Sequence, residues 1–234
     1  MSIIINRILG YFQFLIFAVS YLKPASFNEI KFLKNQLPNN ALIFDVGANV
    51  GTYTKTLSKY LKIENLNFHL FEPNVNLLNI LDKLNIKKNH SKTIINKAIT
   101  NNESTPKVIF YERNISAYSS IKKNNLTENH KIINNYEVDA ISLDKHINDN
   151  NLDKIDLLKI DTEGLDYEVL LSAKNSIRDN KIKIIKIELI PNSENFYKIF
   201  NFLEINNFEL CGLVNLSYFK NNLLLFDAYF KNKN

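Results

Sequence analysis

The stretch I-F-D-V-G-A-N-V-G-T-Y-T, residues 43–54, decides the fold that this sequence predicts. Its first four residues are mostly apolar and partly β-branched, which is typical of a buried strand. Two glycines then mark a turn where the backbone approaches another group closely. From Tyr53 to Leu61 the apolar residues recur at three- and four-residue spacing, which is helical. The stretch therefore predicts the strand, glycine-rich turn and helix that open a nucleotide-binding unit.

The residues of the turn indicate which nucleotide binds. A dinucleotide fingerprint reads G-x-G-x-x-G, whereas here the spacing is Gly47-x-x-x-Gly51 with Asn49 between the glycines. Asp45 ends the strand and would repel a pyrophosphate, at a cost of about 4 kcal/mol for charges ~4 Å apart near a protein surface. A ligand with an amino group and a sulfonium would be attracted instead. This form resembles the first motif of class I methyltransferases, so we predict S-adenosylmethionine, bound by Asp45, Gly47, Asn49, Gly51 and Tyr53.

A second predicted strand, residues 67–71, ends in an acid that completes the signature. Glu72 follows Gly51 by 72 − 51 = 21 residues, close to the ~20 expected for a carboxylate that binds ribose hydroxyls. Pro73 then stops the strand. Taken alone, Glu72 is equally consistent with a solvated turn residue. Together with the glycine turn, it is predicted to bind the ribose.

Length and composition favour a single domain. The 234 residues, 45% of them hydrophobic, are enough for one α/β domain with a short extension. The formal charge of +5 comes from scattered lysines, so it is weak evidence for nucleic acid and suits an anionic membrane or a phosphorylated substrate equally well. Cys211 is the only cysteine, which excludes an intrachain disulfide, favours the cytoplasm and leaves no Cys/His set for zinc.

Residues 3–22 are apolar apart from a few polar positions. Asn6, Gln13 and Ser20 are seven residues apart, so on a helix they would form one narrow polar stripe. Three interpretations stay open. The segment is a helix seated in or marginally spanning the membrane at its inner face, a helix packed on its own domain or on a second subunit, or a cleaved signal peptide. We predict an N-terminal segment over residues 1–26 and one folded domain over residues 27–234.

The domain alternates strands with helices, the pattern of a parallel sheet with helices on both faces. Besides strands 43–46 and 67–71, predicted strands are 93–99, 107–111, 136–143, 155–160, 181–190, 208–213 and 222–230, and predicted helices are 26–37, 53–61, 74–84, 165–173 and 194–203. A terminal hairpin suggests one antiparallel strand in a mostly parallel, Rossmann-like α/β sheet. The polar stretch around Ser119-Ser120 is too long for a tight turn, which favours a functional loop.

Seven motifs, in this order, resemble those of the FkbM-type methyltransferases. They are I-F-D-V-G-A-N-V-G-T-Y-T (43–54), F-E-P-N (71–74), N-K-A-I (96–99), S-S-I (119–121), A-I-S-L-D (140–144), D-L-L-K-I-D-T-E-G-L-D-Y-E-V-L (156–170) and I-E-L (187–189). The resemblance implies a class I, Rossmann-like fold, S-adenosylmethionine as cofactor, and O-methylation of a sugar, glycolipid or polyketide-like hydroxyl. In many such enzymes the third strand ends against the adenine, which implies that Asn96 and Ala98 bind the cofactor.

Carboxylates at strand ends are the available catalytic bases. Methyl transfer to oxygen needs an aligned acceptor and a group that removes its proton. Asp161 and Glu163 follow strand 155–160, Glu188 lies in strand 181–190, and parallel strands of an open α/β sheet bind ligands at their shared carboxyl edge. We predict Asp161, and after it Glu163, as catalytic residues; a helix-capping role for Glu163 stays open. No metal is predicted, although these oxygens suit a divalent cation.

The sequence thus predicts an S-adenosylmethionine-dependent O-methyltransferase acting on a hydroxyl of a sugar, glycan, glycolipid or related small molecule. Nucleic acid is not a predicted partner, and a membrane surface is one if residues 3–22 bind lipid. Two other functions stay open. A nicotinamide-dependent oxidoreductase would have glycine at position 49 and no acid at position 45. A non-catalytic binding module of the same fold would use residues 3–22 as a membrane anchor.

Overall fold

The computed structural model describes most of the predicted domain. The described residues are 28–102, 104–115, 119–121, 123, 131–191, 193–219 and 222–234. The apolar segment predicted at residues 3–22 lies outside them. Within the described ranges, no helix has both the length and the apolar character needed to cross a membrane.

Strands and short helices alternate along the described chain. The helices are α1 Glu29–Gln36, α2 Thr52–Tyr60, α3 Leu78–Asp82, α4 Leu143–Asp149, α5 Asp166–Ser172, α6 Lys174–Arg178 and α7 Glu194–Ile205, and a 3-10 helix, Val75–Leu77, precedes α3. The strands are β1 Leu42–Val46, β2 Asn67–Phe71, β3 Ser91–Ile95, β4 Ala98–Ile99, β5 Lys107–Arg113, β6 Ile132–Ile141, β7 Leu157–Ile160, β8 Ile184–Leu189, β9 Phe208–Phe219 and β10 Asn222–Asn232.

The central sheet has the strand order β3-β2-β1-β7-β8-β10-β9. All described neighbours are parallel except β10, which runs antiparallel to both β8 and β9. The predicted α/β class, with one antiparallel strand in a mostly parallel sheet, is therefore confirmed. The chain leaves β1 toward β2 and β3 on one side and returns to β7 on the other. Such a reversal of strand order opens a crevice at the carboxyl ends of the two central strands.

A smaller sheet, β4-β6-β5, corrects one predicted strand. The single strand expected at 93–99 is wrong, because the chain turns at Asn96 and Lys97 between β3 and β4. The Lys97 backbone amide donates to the Ile95 carbonyl at 2.9 Å, and the side-chain amide of Asn96 donates to the backbone carbonyl of Glu72 at 2.8 Å. Ala98 and its neighbour then pair with β6 instead of continuing along β2. This turn carries the chain from the central sheet to the smaller, three-stranded sheet.

Three local predictions also need correction. Leu143, expected to end a strand, begins α4, because the Ser142 hydroxyl accepts a hydrogen bond from the Lys145 amide and caps a new helix. The helix predicted at 74–84 is shorter than expected, because its first turn is the 3-10 helix and α3 spans only Leu78–Asp82; Val75 is exposed there. α6 was not predicted at all, since it is only five residues long.

Candidate functional site

A cavity opens at the carboxyl ends of β1, β2 and β7. Its enclosed volume is about 130 Å³, within a wider space of about 720 Å³ that opens to solvent. The lining residues come from the ends of these strands and the turns after them, from β4 and β5, and from the loop after β5: Val46, Gly47, Asn49, Phe71, Glu72, Pro73, Lys97, Ala98, Ile99, Phe110, Ser119, Ser120, Ile121, Asp161, Thr162, Glu163 and Leu165. The cavity is therefore an open crevice at the edge of the sheet where open α/β folds bind ligands.

The glycine turn after β1 packs against the backbone that follows β7. Gly47 has a φ of +73°, and a Cβ atom built on it would lie 1.9 Å from the carbonyl oxygen of Asp161. The amides of Gly47 and Ala48 both donate to the Phe71 carbonyl, at 3.0 and 3.1 Å. Asn49 continues the turn with a φ of +50°. Glycine is needed at position 47 because two strand ends meet there with no room for a side chain.

Glu72 presents a buried carboxylate to the cavity. One oxygen accepts a hydrogen bond from the Asn49 amide at 2.8 Å and the other accepts one from the Asn74 amide at 2.9 Å. Burial raises the pKa of Glu72, and these two backbone hydrogen bonds oppose the rise. Each carboxylate oxygen can accept a further hydrogen bond. Glu72 is thus fixed in place with acceptor capacity left for a pair of ligand hydroxyls.

Asp45 does not line the cavity, although the sequence predicts it as a ligand contact. Its side chain is fully buried, accepts a hydrogen bond from the Thr54 hydroxyl at 2.8 Å and lies 3.0 Å from the Lys159 ammonium. A buried carboxylate needs such partners, because an unpaired charge in the interior is costly. The charge of Asp45 is compensated inside the protein.

Three other predicted cofactor residues do not line the cavity. Gly51 caps α2 with a φ of +76° and packs against the side chains of Leu81 and Leu84. The Tyr53 hydroxyl is 3.0 Å from that of Tyr229. Asn96 holds the Glu72-Pro73 turn through its side-chain amide. Among the predicted cofactor residues, the structure brings Gly47, Asn49, Glu72 and Ala98 to the cavity.

Lys159 is part of this site although the sequence analysis did not predict it as a site residue. It lies in β7 with a 7% exposed side chain, 3.0 Å from Asp45 and 3.5 Å from Asp161. Its ammonium also donates to the carbonyls of Gly47 and Val46, at 2.9 and 3.3 Å. Burial alone would lower the pKa of Lys159, but the two carboxylates raise it above its ordinary value. A lysine inside an otherwise apolar central strand was the signal that could have identified it.

The opposite wall carries the predicted catalytic acids. Asp161 lines the cavity with 47% of its side chain exposed. Glu163 also lines it and has a φ of +53°, a strained conformation for a residue with a side chain. The loop between them is held by Asp166, which accepts hydrogen bonds from the amide and hydroxyl of Thr162. One short loop therefore carries two acids of the cavity: Asp161, whose side chain is half exposed, and Glu163, whose backbone is strained.

Burial and neighbouring charges make Glu163 a weak acid. Burial, and then the carboxylates of Asp161 and Asp166, raise the pKa of Glu163 to about 7, while the Lys159 ammonium opposes the rise. Glu188 in β8 is affected in the same way, and burial together with four surrounding acids raises its pKa to about 8. Glu188 does not line the cavity. Glu163 is thus the cavity carboxylate suited to exchange a proton near neutral pH.

The remaining wall is apolar and includes the predicted loop. Phe71, Ala98, Ile99 and Phe110 form a surface with no charge, suited to a flat aromatic ring. The loop reaches the cavity because Ser120 pairs with Tyr111 of β5 through hydrogen bonds of 2.9 and 3.2 Å. In the part of the chain that the structure describes, no three His, Cys, Asp or Glu side chains are placed to hold one metal ion. No described histidine lines the cavity.

Comparison with known proteins identifies a matching family. Residues 45–210 match the Methyltransferase FkbM domain. No curated protein matches the sequence. The crystal structure of Methyltransferase FkbM from Methylobacillus flagellatus KT is similar at 16% identity and a TM-score of 0.51, over 85% of this chain and 50% of that one. This chain thus spans about half the length of that protein, with which it shares a fold.

Two further structures show weaker similarity. Precorrin-6y C5,15-methyltransferase from Geobacter metallireducens GS-15 aligns at 14% identity with a TM-score of 0.46, over 87% of this chain and 86% of that one. M. capricolum TrmK, in complex with S-adenosylhomocysteine, aligns at 13% identity with a TM-score of 0.43, over 89% of this chain and 69% of that one.

The tight contact at Gly47 predicts a position-specific effect of alanine. Gly47→Ala should destabilise the protein by about 2–4 kcal/mol, because the new Cβ meets a backbone carbonyl and the left-handed conformation disfavours it. Gly51→Ala is the matched control, since its φ is similar but its new Cβ meets only leucine side-chain ends that can move. Urea denaturation of both variants measures the difference. Equal losses in the two variants would contradict the packing described at Gly47.

Proposed function

The chain belongs to the FkbM methyltransferase family, and we propose that it transfers a methyl group from S-adenosylmethionine to a hydroxyl oxygen of a sugar, a glycan or a related small molecule. The predicted family and the Rossmann-like fold are confirmed, and S-adenosylmethionine is the cofactor of this methyltransferase. The hydroxyl acceptor and its chemical class are our proposal. The observation that supports it is that one cavity is lined both by Glu72, a buried acid placed to bind ribose hydroxyls, and by the carboxylates of Asp161 and Glu163.

The cavity residues fit the cofactor. The two oxygens of Glu72 are oriented by backbone amides and can each accept a hydrogen bond from a ribose hydroxyl. The apolar surface around Ala98 and Phe110 suits the adenine ring. Asp161, which follows β7 beside the glycine turn, has a half-exposed carboxylate that suits a positively charged group. S-adenosylmethionine supplies an activated methyl group on a positively charged sulfur.

Glu163 is the proposed general base. A base works best when its pKa lies near the working pH, since it must be deprotonated and still accept a proton. The pKa of about 7 that burial and neighbouring acids give Glu163 meets this condition. Glu163 lines the cavity with a positive φ, and residues with such backbone strain cluster at enzyme active sites. These features support Glu163, rather than Asp161, as the residue that removes the hydroxyl proton.

The charge of the cavity favours a neutral acceptor. Among the described lining residues, Glu72, Asp161 and Glu163 are acidic and Lys97 is the one basic residue. An acidic wall repels phosphate groups, whereas sites that bind nucleic acid present basic and aromatic surfaces. Sugar hydroxyls carry no charge and hydrogen-bond well to carboxylates. This balance supports a sugar or related small molecule over RNA as the acceptor.

Labelled S-adenosylmethionine tests this proposal directly. Purified protein is incubated with tritium-labelled methyl donor and an extract of the source cells, which is then separated into RNA, protein, lipid and glycan, and small-molecule fractions. We expect label in the glycan, lipid or small-molecule fraction, resistant to mild base because a methyl ether is stable there. A reaction without protein is the control. Label in RNA would overturn the acceptor class, base-labile methyl esters would show a carboxylate instead of a hydroxyl acceptor, and no labelled product would overturn the activity.

The role of Glu163 predicts a specific pH dependence. The turnover rate of the wild-type protein should rise with pH through about 7 and level off above it, because only the deprotonated carboxylate accepts the proton. Glu163→Gln should lose this rising limb and turn over roughly 10²–10⁴-fold more slowly. Asp153→Asn, which changes an exposed acid outside the cavity, is the control. An unchanged pH profile in Glu163→Gln would remove Glu163 from the chemistry.

We also propose that residues 3–22 place the protein at a membrane surface. Burial of their leucine, isoleucine and phenylalanine side chains, at about 1.5–3 kcal/mol each, outweighs the cost of Asn6, Arg7 and Gln13. Full-length protein should float with lipid vesicles, and a protein lacking residues 1–22 should stay folded and not float. If the segment packs on protein instead, truncation should cause aggregation or a lower melting temperature, with weak flotation of both forms.

A further inference from the structure

Three linked side chains contribute to the charge that the cavity offers its ligand, besides Glu72, Glu163 and Lys97 of the lining. Asp45 is fully buried, Lys159 is almost fully buried, and Asp161 is half exposed at the cavity wall. The ammonium of Lys159 lies between the two carboxylates, 3.0 Å from the first and 3.5 Å from the second. At neutral pH the three together carry one net negative charge, and only Asp161 presents it to the cavity.

We propose that Lys159 is a positioning and specificity-determining residue: it neutralises Asp45, so that selection for the positive sulfur of S-adenosylmethionine comes from Asp161. This inference rests on the proposed function of the cavity. It differs from the expectation drawn from the sequence, in which Asp45 itself attracts the cofactor. The difference arises because β1 and β7 pair in a register that places Asp45 beside Lys159.

The contacts of Lys159 explain why its charge is held so firmly. Its ammonium donates hydrogen bonds to the carbonyls of Val46 and Gly47 as well as pairing with the two carboxylates. The same group therefore fixes the glycine turn and the side chain of Asp161 relative to each other. Charges in such a buried position are screened far less than charges in water. A change in their net charge should therefore be felt at the cavity.

Two ligands that differ by one charge can be used to measure how these three side chains affect binding. S-adenosylmethionine has a positive sulfur, and S-adenosylhomocysteine lacks the methyl group and the charge. The ratio of their dissociation constants reports the charge near the sulfur, whereas damage to the turn weakens both ligands together. Isothermal titration calorimetry of both ligands, with wild-type protein and variants of the three side chains, measures this ratio.

The variants have different expected effects. Asp45→Asn leaves no net charge and should lower the preference for S-adenosylmethionine by roughly 3- to 10-fold. Lys159→Met leaves the buried Asp45 without its cation, so that Asp45 takes up a proton and the ratio should stay near the wild-type value. The double variant Asp45→Asn/Lys159→Met restores one net negative charge, so its ratio should return to the wild-type value. Asp161→Asn should lower the preference as Asp45→Asn does. Lys55→Met, which removes an exposed lysine of α2, is the control and should leave the ratio unchanged.

The outcomes separate this inference from its rivals. If Asp45 attracts the cofactor directly, the double variant should behave like Asp45→Asn, and this would overturn the inference. If Lys159 is only a structural partner, both ligands should weaken equally and the ratio should stay constant in every variant, which would also overturn it. Should Lys159→Met fail to fold, Asp45→Asn and the double variant still give the decisive comparison. Binding of neither ligand to the wild-type protein would overturn the proposed function, and this inference with it.

Discussion

The contact between the glycine turn and the backbone after β7 is the constraint on which the rest of the site depends. A side chain at position 47 would overlap the carbonyl of Asp161, and the Asp161 amide donates to the Val46 carbonyl at 3.2 Å. The carboxyl ends of the two central strands are thereby locked together at the point where the strand order reverses. The glycine turn and the cavity acids follow one of these two strand ends or β2 beside them, while the apolar wall comes mainly from β4 and β5.

Buried charge is the second organising feature. The interior of the central sheet holds Asp45 and Lys159 side by side, and the next strand carries Lys186, paired with Glu29 and Asp227 at 3.0 and 3.1 Å. Buried ion pairs rarely add stability over well-packed apolar residues of similar volume. The Asp45–Lys159 pair adjoins Asp161 of the cavity lining, and we propose that it fixes the electrostatic field that the ligand meets. Asp161 and Glu163 lie in that field but differ in their burial. Burial raises the pKa of Glu163 to about 7, whereas the side chain of Asp161 is half exposed.

The sequence predicted the features that depend on residues close together in the chain. The period change across Gly47 and Gly51 located β1 and α2, and the position of Glu72 after β2 located the carboxylate that lines the cavity. Contacts distant in sequence were not accessible in this way. Asp45 and Lys159 are 114 residues apart, so no local pattern reveals that one neutralises the other. The turn at Asn96 depends likewise on a hydrogen bond to the distant Glu72 carbonyl, which overrides the preferences of single residues.

Binding of S-adenosylmethionine through Glu72 is the central claim, and calorimetric titration of the wild-type protein and of Glu72→Ala tests it most directly. The wild-type protein should bind the cofactor. The variant should keep its fold and bind more weakly by about 1–3 kcal/mol, since it loses charge-assisted hydrogen bonds to the ribose. Equal affinity of a folded Glu72→Ala variant, or no binding by the wild-type protein, would contradict the account.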